Sequence, residues 1–293
     1  MSNASAASPA GPAGWTPSAR ERERAAFRRS RTTRSILIAA ASTTFFGGLL
    51  AFAVTSAPGW PRVQSSFFDV DVARRSLPSI AEGLVLNLEV FAASGVLMLV
   101  FGLLLAVLRT LTGPVFWPLR ALATAYVDLF RGLPLILVLL LVGFGVPGLR
   151  LQGLPGDVVF YGAASLVLTY SAYVAEVFRA GIESIHPSQR AAARSLGLSS
   201  WQTLRHVVLP QAVRRVVPPI LNDLVSLQKD SGLISVLGAI DAVSAAQIYT
   251  AQTFNFTPYV VAGGLFVLLT IPMTRFTDAI SRRYGYVPGG GHL

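Results

Sequence analysis

The sequence predicts an all-α integral membrane protein with about six transmembrane helices, on three observations. Hydrophobic residues make up 53% of the 293 positions. Charged residues are only 13%, against about 25% in soluble chains. The apolar residues also gather into runs of membrane-spanning length, giving a mean hydropathy of +0.58. There is too little charge to coat a water-facing globule.

The runs fall in order along the chain. From Ile36 to Pro61 no charged residue occurs, which suffices for a span of about 20 residues. A mixed loop with Asp69, Asp71, Arg74 and Arg75 follows. The second run extends from about Gly83 to Leu108 and is closed by Arg109. The third, about Ala121–Val146, is interrupted by Arg131-Gly132-Leu133-Pro134. The fourth covers about Val158–Ile182, and a more polar stretch, Pro187–Arg205, succeeds it. The fifth, His206–Gly238, contains Pro210, Pro218, Pro219, Lys229 and Asp230. The sixth is about Pro258–Ile280, ending at Arg282-Arg283. Four regions result: an Arg-rich tail at 1–34, a first span with its external loop at 35–82, a main transmembrane region at 83–283, and a short tail at 284–293.

Residues 1–34 are rich in Ala, Ser, Pro and Gly, and then in arginine from Arg20 to Arg34. Such a stretch buries too little apolar surface to offset its ordering entropy and is expected to be a mobile tail. Its place beside an apolar run makes it a topology anchor rather than a nucleic-acid binder. No small-residue cleavage site ends the run, which argues against a signal peptide. With six spans, Arg20–Arg34, Arg109, Arg120, Arg190–Arg205 and Arg275–Arg283 share one face. Arg62, Arg74, Arg75 and Arg150 take the other. This bias puts both termini of a multi-pass membrane protein in the cytoplasm.

Enzymatic chemistry finds little support. Cysteine is absent, which excludes disulfides and thiolate sites. His186, His206 and His292 lack metal-ligand spacing, so no metal is expected. There is no G-x-S-x-G, no H-E-x-x-H and no Walker A motif, since Lys229, the only lysine, follows Gln228. Any ATP used must be bound by another chain.

Ionisable residues inside apolar runs carry the functional signal, because a charge at the bilayer centre costs roughly 2.5–3.5 kcal/mol on insertion scales. Asp128 and Arg131 are spaced to pair on one helix face, as are Glu176 and Arg179. Either could serve structure or transport. Lys229 and Asp230 are neighbours, about 100° apart on a helix, and cannot simply neutralise each other. Ser226 and Ser231 join them in a polar stretch between Pro218-Pro219 and Gly232. Irregular backbone at depth must be buried in protein or line a cavity. A substrate path or gate at Lys229, Asp230, Ser226 and Ser231, with Glu176 and Arg131, stands beside a purely structural polar network. On the first reading Lys229 and Asp230 meet the carboxylate and ammonium of an amino-acid zwitterion.

The segment Pro187–Arg205 predicts a compact helix–turn–helix. Pro187 and Ser188 start one helix through Ala191–Leu196. Gly197 allows a turn, and Ser199 or Ser200 caps a second. Tethered between two spans, it suits a docking surface for a cytoplasmic partner better than DNA.

Ala191-Ala192-Ala193, then Gly197, then Val207-x-Leu209-Pro210 resembles the EAA loop of bacterial ABC-importer permeases, E-A-A-x3-G-x9-I-x-L-P. Tyr126–Leu135, Ala172–Ile182 and Ser226–Val236 are similar to stretches of the polar amino-acid uptake subfamily. The resemblance covers roughly Gly83–Arg283. It implies a five-helix importer core, to which the span at Ile36–Pro61 is an added helix. It further implies a permease subunit for polar amino acids, such as histidine, glutamine or glutamate, paired with a second permease chain. Separate ATPase subunits would carry ATP and Mg, so no cofactor is expected in this chain, and an external solute-binding protein would deliver substrate. Contacts with membrane lipid are expected, and none with nucleic acid. The coupling loop to the ATPase would comprise Arg190, Ala191, Ala192, Ala193, Arg194, Leu196, Gly197, Leu209 and Pro210, with Ala192, Ala193, Leu196 and Gly197 at its buried centre. Ala191 stands where the family usually has Glu, so that acid's ion pair is missing. The rival reading is an ion-coupled secondary transporter using Lys229-Asp230 and Glu176. It would be favoured by inverted half-sequence repeats, and none is evident.

Overall fold

A computed structural model describes residues 18–111 and 113–283, and every described element is helical. The chain divides into two compact units between Val63 and Gln64. The first is dominated by α1 (Ala19–Thr55), whose 23-residue stretch Thr33–Thr55 is long and apolar enough to cross a membrane. The helix reaches back to Ala19, so the mobile tail expected over 1–34 is corrected for the part from Ala19 on. Ala, Arg and Glu favour helix, and extending an existing helix avoids the cost of nucleation. Residues 1–17 and the expected tail at 284–293 lie outside the described residues. At the other end the span stops at Thr55 rather than Pro61, because Pro58-Gly59 breaks it.

Helix α2 (Trp60–Phe67) leads into the second unit, where α3 (Val70–Thr110) begins 13 residues earlier than its apolar run. The expected mixed loop is therefore mostly helix. Asp69 is the reason: its carboxylate accepts from the backbone N–H groups of Asp71 (2.9 Å) and Val72 (3.0 Å), a standard N-cap.

The third span is not straight. A 3-10 turn (Pro114–Phe116) precedes α4 (Trp117–Gly132). Then α5 (Leu135–Leu140) runs through a π-helical turn (Leu141–Gly145) into α6 (Val146–Gly148). The two halves meet at 108°. Leu133, before Pro134, is extended (φ −94°, ψ 136°), as a pre-proline residue prefers.

Helix α7 (Val158–Glu183) crosses uninterrupted and packs chiefly on α3. Close approach is possible because Gly102 of α3 faces Val174: a Cβ there would lie 2.6 Å from the valine Cγ1. Short α8 (Pro187–Ser195) and α9 (Ser200–Thr203) follow, and a π-helical turn (Leu204–Val208) enters α10 (Leu209–Asp230). A 3-10 segment (Ser231–Leu237) bends the chain into α11 (Ala242–Thr253), and α12 (Thr257–Arg283) closes it. Among the described residues four helices are long and apolar enough to cross a membrane, or up to six spans if each bent pair counts as one. One core joins Val90 and Met98 of α3, Leu166 and Val174 of α7, Leu227 of α10, and Ile234.

A polar knot ties α3 to the start of α11. Asn87, buried in the apolar stretch of α3, donates to the Ser231 carbonyl (3.0 Å) and to Asp241 Oδ2 (2.9 Å). Its own Oδ1 accepts from the Ala242 N–H (3.1 Å). Asp241 is fully buried and caps α11 through Ser244 (2.8 Å). Gly83 lets the two backbones meet, since a Cβ there would sit 2.4 Å from the Asp241 carbonyl carbon. Replacing Asn87 with Ala would leave the buried Asp241 carboxylate short of a donor. It should cost about 2–3 kcal/mol, seen as a lower melting temperature of the purified protein, whereas Asn87→Gln should recover part of the loss.

Candidate functional site

Three helices converge on Glu176 of α7. Its Oε2 accepts from Arg109 Nη1 of α3 (2.9 Å) and from Arg179 Nε (3.1 Å), and its Oε1 from Arg179 Nη2. Arg131 of α4 stands 3.7 Å away, and Arg179 also binds Glu183. The expected Glu176–Arg179 pair is therefore present within a larger cluster. The expected Asp128–Arg131 pair is not: no ion pair joins them among the described residues. Arg131 reaches the more enclosed carboxylate of Glu176, while Asp128 faces a separate cavity with Arg109, Arg120 and Arg179.

A second polar site lies further along α7. The Tyr170 hydroxyl donates to Asp230 Oδ2 of α10 at 2.7 Å. Both line a cavity of about 320 Å³ with Thr169, Tyr173, Asp223 and Ser226, capped by Leu135 at the start of α5. Thr169 Oγ1 and Asp223 Oδ2 are buried there with no hydrogen-bond partner among the described residues. The cavity thus has two carboxylates, a spare hydroxyl and two tyrosines, a set that can receive an ammonium or guanidinium group.

This geometry separates residues that the sequence grouped together. Asp230 and Ser226 face the cavity, but Lys229 is exposed on another side of α10 and does not line it. Lys229 and Asp230 therefore do not share this cavity: neighbouring side chains diverge on a helix, and only Asp230 turns toward α7. Ser231 is buried elsewhere, its hydroxyl donating to the Gln228 carbonyl (2.8 Å) and its carbonyl serving the Asn87 knot. Glu176 and Arg131 belong to the arginine cluster, about 9 Å along α7 from Tyr170 by helical rise. Sequence reasoning missed Tyr170, Thr169 and Asn87. Of these only Asn87, a lone amide in an apolar run, carried a signal.

The connecting loop forms as its residues suggest. His186 Nδ1 caps α8 by accepting from the Ser188 N–H (3.2 Å). Ser199 and Gln202 cap α9 reciprocally (3.2 and 2.9 Å). Between them Gly197 adopts φ +83°, with the Leu198 N–H reaching back to the Ala193 carbonyl (3.2 Å), a Schellman turn that favours glycine. Arg190 donates to the Ile182 carbonyl (3.2 Å) and Arg215 to that of Ser184 (2.6 Å), fastening the loop to α7 and α10.

Of the four residues expected to be buried on docking, Ala192, Leu196 and Gly197 are exposed in this chain and free to meet a partner, and Ala193 is not. Ala193 is turned inward at 4% exposure, whereas Leu196 is 82% and Trp201 67% exposed. Ala191, Ala192, Arg190, Arg194, Leu209 and Pro210 are also exposed. The outward face is therefore built on Leu196 and Trp201 beside the alanines, because the amphipathic α8 packs Ala193 against the rest of the chain.

Comparison with known proteins agrees with this architecture. The chain is 34% identical over 208 residues to the arginine transport system permease protein ArtQ of Bacillus subtilis (strain 168), covering 71% of this chain and 93% of that protein. It is 36% identical over 187 residues to the probable glutamine ABC transporter permease protein GlnM of the same organism, covering 63% and 83%. Its fold is similar to that in a crystal structure of an amino acid ABC transporter with histidines, with a TM-score of 0.65 at 29% identity, over 70% of this chain and 94% of that one. Residues 98–286 match the family described as binding-protein-dependent transport system inner membrane component, and the chain belongs to that family.

Proposed function

We propose that this chain is the transmembrane permease subunit of an ATP-driven importer of polar amino acids, working with ATPase subunits and a second permease chain. The observation that carries this reading is that α7 and α10 serve two places at once. At one end they are joined to each other and to α8, through Arg215 on the Ser184 carbonyl and Arg190 on that of Ile182, and the middle of α7 and the far half of α10 enclose the cavity of Tyr170, Asp223 and Asp230. A partner that pulls on the loop acts on the helices that shape the cavity, as alternation between inward- and outward-facing states requires.

In this mechanism Asp223 and Asp230 meet the α-ammonium of the passing amino acid. The free Thr169 hydroxyl offers a donor for its carboxylate. ATP and Mg belong to the ATPase subunits, and their closure moves the loop through Leu196 and Trp201. A solute-binding protein delivers substrate at the opposite face. The distribution of arginine supports an orientation with the loop and both termini in the cytoplasm.

Uptake by the reconstituted complex with a panel of labelled amino acids tests the transport reading. Asp230→Asn and Tyr170→Phe should each lower uptake about tenfold, the equivalent of one charge-assisted hydrogen bond, while the complex still assembles. Lys229→Ala should have a smaller effect. Undiminished uptake by the Asp230→Asn, Tyr170→Phe double variant would refute a pathway at this cavity.

Coupling is read by co-purification. Trp201→Ala should weaken retention of the ATPase subunits about thirtyfold, the typical effect of losing an interfacial aromatic anchor. Gly197→Asp, which forces a side chain into positive φ, should abolish uptake. Wild-type assembly and transport by both would exclude the loop.

For orientation, reporters fused to the N- and C-termini should both read cytoplasmic. Opposite readings would overturn the six-span arrangement.

A further inference from the structure

The cavity beside the arginine cluster is unclaimed by transport or coupling. It has a volume of about 530 Å³, within the range of about 300–1,000 Å³ typical of small-ligand sites. It lies where the end of α3 approaches α4 and α7, and Arg109, Trp117, Arg120, Asp128 and Arg179 line it. The Arg109–Glu176 and Arg179–Glu183 contacts put it at the end of α7 that leads into α8.

Its donors are incompletely used. The Arg109 side chain is 12% exposed and gives only one of its five N–H groups, to Glu176. Arg120 gives one, to the Leu111 carbonyl (3.0 Å). Neither has a further acceptor among the described residues, so both guanidiniums have donors to offer an added anion. Charge points the same way. The cavity wall and the ion pairs behind it hold Arg109, Arg120, Arg131 and Arg179 against Asp128, Glu176 and Glu183. One positive charge is left over. A phosphodiester supplies one negative charge and two acceptor oxygens suited to a guanidinium fork. Asp128 on the wall disfavours a more highly charged free phosphate.

The surroundings identify the source. Exposed Val115, Trp117, Leu119 and Leu122 border the arginines with apolar surface that suits acyl chains, and tryptophan favours the headgroup level. Basic pockets between transmembrane helices on the cytoplasmic side are where anionic headgroups bind. We infer that the cavity between α3, α4 and α7 holds the headgroup phosphodiester of an anionic phospholipid, gripped by Arg109 and Arg120 and covered by Trp117. This rests on the membrane orientation proposed above but not on transport.

The test uses the purified full-length chain in nanodiscs of phosphatidylcholine containing a minor fraction of brominated phosphatidylglycerol or of brominated phosphatidylcholine. Quenching of Trp117 is obtained as the difference between the wild-type chain and Trp117→Phe. The anionic lipid should be enriched about fivefold or more at Trp117, the effect expected per arginine near a membrane surface. Arg120→Gln should bring quenching down to the level of the neutral lipid, and excess inorganic phosphate should leave the wild-type signal unchanged. Ala121→Phe, which fills the cavity without altering charge, should have the same effect as Arg120→Gln. Equal quenching by the two lipids, or an anionic excess that survives in both variants with unchanged melting temperatures, would overturn the site. Displacement by inorganic phosphate would assign it to a soluble anion, and loss of quenching on adding the ATPase subunits would assign it to that protein partner. Either result refutes the lipid. Transport assays decide the permease reading separately, since these arms require no uptake.

Discussion

A carboxylate withdrawn from water is costly unless donors from the protein meet it. Two such carboxylates organise this chain. Asp241 draws in Asn87, and Glu176 draws in Arg109, Arg131 and Arg179. Helix α3 answers both, with Asn87 near the start of its apolar stretch and Arg109 at its end. Their separation along the helix is about 33 Å, close to the thickness of the hydrocarbon layer of about 30 Å. The long helix is thus fastened at two levels, to α11 at one and to α4 and α7 at the other. The apolar packing of Val90 and Met98 against Leu166 and Val174 fills the space between.

Between these fastenings lie the breaks. Pro134 ends one half of the third span, and the 3-10 segment after Asp230 ends α10. Leu135 and Asp230, the residues that flank those breaks, both border the cavity that contains Tyr170. Interrupted helices are tolerated at depth only where protein or a cavity receives the freed backbone groups. Here straight α7 supplies the continuous wall and the two broken helices supply the ends. The cavity follows from placing two discontinuities against one unbroken neighbour.

Residue types made the apolar lengths, the caps at His186–Ser188 and Ser199–Gln202, and the turn at Gly197 legible, because each depends on interactions within a few residues. The arginine cluster was half legible. Local spacing paired Glu176 with Arg179 correctly, but also paired Asp128 with Arg131, whose guanidinium turns instead to a carboxylate on another helix. The Asn87–Asp241 and Tyr170–Asp230 bonds join residues 154 and 60 positions apart, and no periodicity announces such partners. For Lys229 the sequence marked an unusual charge in an apolar run but not which way it faces, and the amphipathic α10 carries it on an exposed face. Helical structure before Arg34 was missed for a different reason: the argument from buried surface applies to independent folding, and this segment extends a helix already nucleated by its apolar neighbour.

The loop and the cavity are joined by a short mechanical route. Arg190 of α8 holds the Ile182 carbonyl near the end of α7, and Arg215 of α10 holds the Ser184 carbonyl just beyond it. Displacing α8 therefore loads α7 and α10 together at one end. From Arg215 to Asp230 is about 22 Å of helix, with Pro218 and Pro219 inside it. The two helices meet again at the 2.7 Å bond between Tyr170 and Asp230. Helix α7 is held to α3 and α4 through Glu176, and α10 to α12 through the Thr270 hydroxyl, which donates to Gln228 Oε1 at 2.8 Å. Under the coupling proposed above, a shift of either helix against the other would fall on the hydroxyl–carboxylate contact, on the wall of the cavity itself.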